Sequence, residues 1–460
     1  MSQTLTAAGD IAGAPAQATS PAGTLDVQQF INAQPLSRYQ WRIALLCFLI
    51  VFLDGLDTAA MGFIAPALSQ DWGINRAQLG PVMSAALIGM VFGALGSGPL
   101  ADRFGRKGVL VVSAFLFGIF SLACAFSANL EQLVLLRFLT GLGLGAAMPN
   151  ATTLLSEYTP ERLKSLLVTS MFCGFNLGMA GGGFISAWLI PSWGWHSLLL
   201  VGGVLPLLLA LALAFWLPES ARFMVVRGQS AERVRKVLRP IGEQAAQAQA
   251  FSVPEQQGVK ARNVFAVIFG GVYSAGTLLL WLTYFMGLVI VYLLTSWLPT
   301  LMRESGASLE QAAFIGALFQ FGGVLSSVAV GWAMDRFNPH KVIGVFYLLA
   351  GLFAWAVGKS LGDTMLLATL VLAAGMCVNG AQSAMPSLAA RFYPTHGRAT
   401  GVSWMLGVGR FGAILGAWIG ATLLGMGWHF EQVLTALLVP AVLASGAVLI
   451  KGMTSHADAT

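Results

Sequence analysis

Twelve runs of apolar residues, each long enough to cross a lipid hydrocarbon core, constrain this chain more than any other feature. They lie near residues 43–66, 80–101, 108–127, 131–155, 165–188, 197–217, 276–300, 311–333, 341–358, 363–388, 400–425 and 431–451, and are numbered spans 1 to 12. A hydrocarbon core of about 30 Å takes roughly 20 helical residues. Inside lipid only a helix or a closed barrel satisfies its own backbone hydrogen bonds, and the alternating ten-residue segments of a barrel are missing from the sequence. Charged residues make up only 10% of the chain, against about a quarter in a soluble protein. That is too little to cover a water-facing surface. A soluble enzyme, a nucleic-acid binder and a disordered protein are therefore excluded as descriptions of the whole chain. The expected fold class is an all-α membrane protein.

Basic residues set the orientation. Arg38, Arg42, Arg103, Arg106, Lys107, Arg162, Lys164, eight residues of the 220–262 loop, Arg336, Lys341, Arg391, Arg398 and Lys451 fall on one side. Arg76, Arg303 and Lys359 fall on the other. Cytoplasmic loops carry the excess of Lys and Arg, so both termini are expected in the cytoplasm. Residues 1–40 read as a mobile cytoplasmic tail rather than a cleaved signal, since no basic stretch leads into an apolar core. An N-terminal six-helix bundle follows over 41–217, then a cytoplasmic linker over 218–262. A second bundle covers 263–452, and residues 453–460 form a short cytoplasmic tail. The net charge of +6 follows from this topology and calls for no nucleic acid. Cys47, Cys124, Cys173 and Cys377 all fall in spans without metal-ligand spacing and read as packing residues. No metal or cofactor is expected.

The two halves echo one another. Residues 98–107 read G-P-L-A-D-R-F-G-R-K after span 2, and residues 331–336 read G-W-A-M-D-R after span 8, the Gly, Asp and Arg being displaced by 233 positions. Such a parallel repeat places a substrate site between the halves near the membrane midplane. Glycines four apart, Gly174, Gly178 and Gly182 in span 5 and Gly412, Gly416 and Gly420 in span 11, line one helix face and allow close backbone approach. They suit either a sliding interface or static packing.

Four strong charges lie well inside the spans: Asp54, Asp57, Arg137 and Arg410. Asp54 is about 11 residues, or roughly 16 Å, into span 1, and Asp57 shares its helix face. An ionised acid there costs at least ~2.5 kcal/mol and usually marks an ion or proton pathway. Burial and a like-charged neighbour both disfavour ionisation, so one of the two is expected to hold a proton. A structural ion pair is the alternative. Arg410 stands among glycines in span 11, where its planar fork of donors suits a carboxylate. The alternative is a permanent pair with Asp54 or Asp57. Arg137 in span 4 is read either as a partner that tunes the proton on Asp57 or as a structural contact to span 1. The four charges sum to zero, so one proton taken up leaves the site ready for one monovalent anion.

Residues 98–107 carry the G-x-L-A-D-R-x-G-R-K signature of the major facilitator superfamily. Residues 137–145 (R-F-L-T-G-L-G-L-G) and 218–222 (P-E-S-A-R) resemble two further motifs of that superfamily. Residues 54–58, D-G-L-D-T, resemble the mark of its aromatic acid/proton symporter family. The resemblance implies two pseudo-symmetric six-helix bundles, alternating access in a bacterial inner membrane, and a monomer. It also implies proton-coupled import of an aromatic carboxylate such as 4-hydroxybenzoate or protocatechuate, with Asp54, Asp57 and Arg137 coupling the proton. Another benzoate-type substrate, export, or sensing of aromatic acids without flux remain open.

Remaining expectations concern the wall and the gates. Trp281, Tyr284, Asn379 and Gln382 are candidate substrate-wall residues, since a benzoate needs an apolar slot and donors for ring hydroxyls. Trp297 and Trp193 read as membrane-interface anchors. The resemblance implies that Asp102, Arg103, Arg106, Lys107, Asp335 and Arg336 pair in one conformation only, and Glu157 is read either as an inner gate that reaches Arg398 or Arg391 across the halves or as a solvated loop charge. No nucleotide-binding loop is present, so an ion gradient rather than ATP is the expected energy source, and no enzymatic constellation is seen.

Overall fold

The computed structural model describes residues 24–253, 273–360, 363–393 and 398–457, without the side chains of Arg76, Ser165, Ser327, Val328, Asp335, 398–400 and 454–457. Each apolar run is helical, and most of the helices extend past their runs into polar capping residues. In the first half the spans are Arg38–Trp72, Arg76–Phe104, Arg106–Cys124, Leu130–Tyr158, Glu161–Trp193 and His196–Trp216. In the second half they are Tyr273–Glu304, Leu309–Arg336, Pro339–Lys359, Thr364–Phe392, Arg398–Gly425 and a final span broken into Phe430–Ala436 and Leu438–Ala457. The break falls where Pro440 lacks the N–H that would bond back to Ala436. The helix that follows runs through Ala457, so the expected C-terminal tail begins later than residue 453. These spans make the chain a multi-pass membrane protein.

The turn chemistry repeats with the same displacement as the loop motifs. Span 1 ends at Gly73 (φ 61°) and span 7 is followed by Gly306 (φ 96°), where any side chain would be strained. Two residues on, Asn75 with Gln78 and Ser308 with Gln311 form capping boxes that satisfy free amides at the next helix start. Gly194 (φ 76°) and Gly427 (φ 83°) turn the chain before spans 6 and 12 in the same way.

Packing repeats too. A Cβ on Gly178 would lie 1.9 Å from the Phe52 carbonyl oxygen, and one on Gly412 2.4 Å from that of Phe285. The span 5 glycines thus receive span 1, and the span 11 glycines receive span 7. Both contacts lie inside one half, so these faces are static packing rather than the surface on which the halves move. Trp297, expected at the membrane interface, is buried here instead, its indole donating to the Ala417 carbonyl at 2.8 Å. Trp193 is exposed.

The halves meet through spans 1 and 7, 2 and 11, and 5 and 8. Their closest approaches cluster away from the termini: Gly62 against the Thr295 carbonyl, Gly183 against Ala317, Gly80 against Ala421 and Gly425 against Ala77. Near the face bearing the termini, Gly98 and Gly331 have no atom within 4 Å of where a Cβ would sit.

The expected mobile tail is folded from Thr24 onward. Thr24–Asp26 (β1) pairs in parallel with Ala250–Ser252 (β2) of the linker. The helix Val27–Ala33 buries Val27, Phe30 and Ile31, within the same core as Val234 and Leu238 of the amphipathic linker helix Ala231–Leu238. Arg162 at the start of span 5 donates to the Asn32 and Gln34 carbonyls at 3.1 and 2.8 Å. Composition had suggested a tail because residues 1–40 are polar on average, while a three-residue apolar stripe suffices to dock it. Residues 1–23 and the linker's end, 254–262, lie outside the described residues. Phe30→Ala should remove about 3 kcal/mol from this docking; limited proteolysis should then cut near residues 34–37 faster, with the spans left intact.

Candidate functional site

Span 1 places Asp54 and Asp57 near its middle, both fully buried, and the neighbouring helices treat them differently. Arg137 of span 4 donates from Nη1 to Asp57 Oδ1 at 2.8 Å and from Nη2 to the Asp57 carbonyl at 3.4 Å. Ser121 of span 3 donates to the same Oδ1 at 3.2 Å. Asp57 and Arg137 therefore form an ion pair joining three helices, with Asp57 Oδ2 and Arg137 Nε buried and without a hydrogen-bond partner among the described residues. Ser121 escaped sequence reasoning, since a serine within an apolar span carries no signal of its partner.

Asp54 has no cation at bonding distance among the described residues. Its one hydrogen bond comes from Thr58, one turn along its own helix, at 3.4 Å, and its Oδ2 has no partner among the described residues. Arg410 of span 11 lies within electrostatic range of Asp54, Tyr284 and Tyr292. It is half-buried, and no hydrogen bond or ion pair to it is found among the described residues. The structure thus leaves one acid on the first half and one guanidinium on the second, neither neutralised by a close partner.

The wall residues separate as well. Tyr284 packs its ring over Gly409, where a Cβ would lie 2.3 Å from it; Gly409 precedes Arg410 in the chain. Trp281 stacks on Trp404 with centroids 6.1 Å apart. Asn379 spends its amide on the Phe319 carbonyl at 3.4 Å. Gln382 is held by Tyr347 and Tyr284 rather than offered freely.

The loop after span 2 is organised within the first half. Asp102 pairs with Arg106 at 3.2 Å, Arg103 lies over the Phe104 ring, and Arg227 of the linker donates to the Asp102 carbonyl at 2.6 Å. Glu219 accepts from the backbone amides of Arg106 (2.9 Å) and Lys107 (3.2 Å), placing a carboxylate on the positive N-terminus of span 3. A Cβ at Gly105 would overlap that carboxylate. The P-E-S-A-R motif thus serves as an intramolecular cap. In this conformation Glu157 accepts a short hydrogen bond from Ser220 and stands 4.0 Å from Arg106. Ser220 directly follows Glu219, which is itself anchored on the start of span 3, and no sequence spacing announces its contact with Glu157. Arg336 lies over the Trp332 ring and Arg391 is exposed, while the side chains of Asp335 and Arg398 lie outside the described residues.

Removing one member of a buried ion pair costs about 3–5 kcal/mol, because the other charge is stranded. Arg137→Gln should therefore lower thermal stability in detergent strongly. Combining it with Asp57→Asn should restore much of the loss, as read by thermal unfolding of the two single variants and the double.

Comparison with known proteins agrees with this architecture. The profile of the Major Facilitator Superfamily matches residues 47–417 and 280–456. A Pseudomonas aeruginosa protein named 4-hydroxybenzoate transporter PcaK is 83% identical over 95% of this chain and 97% of its own length. One of the same name from Acinetobacter baylyi is 64% identical over 95% and 96%, and a gallate transporter of Pseudomonas putida 51% identical over 93% and 95%. Among solved structures, a D-xylose-proton symporter superposes with TM-score 0.70 at 18% identity, covering 89% of this chain and 97% of that one. An inward open conformation of the xylose transporter XylE from E. coli gives 0.69 at 20% identity, over 88% and 94%. With twelve spans, a two-fold repeat and profile matches that together run from residue 47 to residue 456, the chain belongs to the Major Facilitator Superfamily.

Proposed function

We propose that this protein imports a monovalent aromatic carboxylate of the 4-hydroxybenzoate and protocatechuate type together with a proton. The observation that carries the reading is the division of the four membrane charges. Asp57 and Arg137 cancel each other in a closed pair, which leaves Asp54 and Arg410 to do the coupling. With Asp54 ionised, the site is neutral and has no call for an anion. Protonation of Asp54 leaves Arg410 uncompensated, and one carboxylate restores neutrality through a bidentate contact. Loss of the anion then favours loss of the proton. Relatives named for 4-hydroxybenzoate and for gallate support a hydroxylated benzoate as cargo.

The positive-inside bias supports cytoplasmic termini, and relatives from Pseudomonas and Acinetobacter support a bacterial inner membrane. The closure on the opposite face then corresponds to an inward-facing monomer, and the Asp102–Lys107 and Asp335–Arg336 loops would re-pair across the halves when that face closes. Asp54 is the proton site and Asp57 a fixed, neutralised charge.

Uptake of labelled 4-hydroxybenzoate into proteoliposomes should follow an imposed inward proton gradient. Asp54→Asn should abolish accumulation while retaining exchange of internal for external substrate; gradient-driven accumulation by that variant would refute the assignment. Arg410→Lys keeps the charge but loses the planar fork, and should raise KM about tenfold, the equivalent of ~1.4 kcal/mol.

A further inference from the structure

Tyr347 of span 9 is entirely buried. Its hydroxyl donates to Gln382 Oε1 at 2.6 Å. The other end of that amide, Nε2, donates to the Tyr284 carbonyl at 3.3 Å. Space for this arrangement exists because span 7 has Gly287, where a Cβ would lie 2.2 Å from Gln382 Oε1 and 2.4 Å from the Tyr347 hydroxyl. The pinned amide fixes its orientation: an oxygen toward Tyr347 and a nitrogen toward Tyr284. On its other side the Tyr284 ring is held by Gly409, the residue before Arg410. A chain of contacts therefore runs from span 9 through span 10 to Tyr284, which, like Tyr292, lies within electrostatic range of the anion-binding guanidinium.

We propose that Tyr347 is a positioning residue for substrate selectivity, acting through Gln382 to aim Tyr284 at the ring hydroxyl of the aromatic acid. This rests on the reading of Arg410 as the carboxylate anchor. The chemistry divides naturally between the groups. Arg410 takes the charged end, and a neutral hydroxyl at the far end of the ring calls for neutral groups that both donate and accept, as a tyrosine hydroxyl does. A site built to hydrogen-bond a substrate hydroxyl rejects the analogue that lacks it, because its own polar groups are left unpaired. Gln382 itself is not free to serve that role, since both ends of its amide are already engaged. Tyr347 touches no substrate and supplies orientation alone.

The test compares uptake kinetics of 4-hydroxybenzoate and benzoate by the full-length protein in proteoliposomes, for the wild type, Tyr347→Phe and Gln382→Leu. Tyr347→Phe keeps the ring and removes only the hydroxyl. It should raise KM for 4-hydroxybenzoate about tenfold, leave its maximal rate per folded transporter unchanged, and leave KM for benzoate unchanged. Gln382→Leu should shift the ratio in the same direction, and the double variant should shift it no further, as for members of one network. The ratio of the two acids in one preparation does not depend on how much protein folded. Equal losses for both acids, or a ratio unchanged from wild type, would overturn the proposal. A wild type that takes up neither acid would overturn the transport reading with it, whereas a hydroxyl-selective wild type with an unshifted Tyr347→Phe ratio would overturn this inference alone.

Discussion

The ion pair between Asp57 and Arg137 is the interaction on which the functional architecture turns. At 2.8 Å and almost wholly out of contact with solvent, it ties span 1 to span 4, and Ser121 adds span 3. A charge at this depth is costly unless paired, and the pairing fixes which of the two acids is spent. Without it, two acids three residues apart would share one site and neither would have a distinct part. With it, Asp54 and Arg410 remain without a close ionic partner among the described residues, which is what the proposed coupling of proton and anion requires.

Around this unit the chain builds the same scaffold twice. Helix-ending glycines, capping residues and glycine-to-carbonyl contacts recur with displacements of 233 or 234 positions. The chemistry does not recur. Asp54 corresponds to Gly287 in the second half, and Arg410 to Asn176 in the first. A symmetric frame thus carries an acid on one half and a base on the other, which is the arrangement a moving boundary between halves can exploit. The glycine faces contribute rigidity, since they lie within each half and hold helices at backbone contact.

Much of this was legible in the sequence. The twelve spans follow from the cost of exposing backbone in lipid, and a hydropathy scan measures that cost directly. Asp54, Asp57, Arg137 and Arg410 stood out for the same reason: each is an exception in an apolar run. The folded N-terminal segment was missed because three apolar residues in a polar stretch give no signal until their partners in the linker, some two hundred residues away, are known. The contact of Glu157 with Ser220 was likewise not legible, because charge complementarity names possible partners without ranking them by distance. Trp297 was taken for an interface anchor because position along a span does not reveal which helix faces lipid.

By itself, then, the sequence determined the class of protein, its helices, its repeat and the short set of residues able to carry charge across a membrane. These are properties of single residues against the solvent around them, and composition and spacing report them. Tertiary structure decided how those residues divide the work: Asp57 neutralised, Asp54 and Arg410 left without close partners, Gln382 held by Tyr347, Glu219 capping span 3. Such choices depend on which helix faces which, and contact distance between residues far apart in the chain is what an isolated sequence does not encode locally.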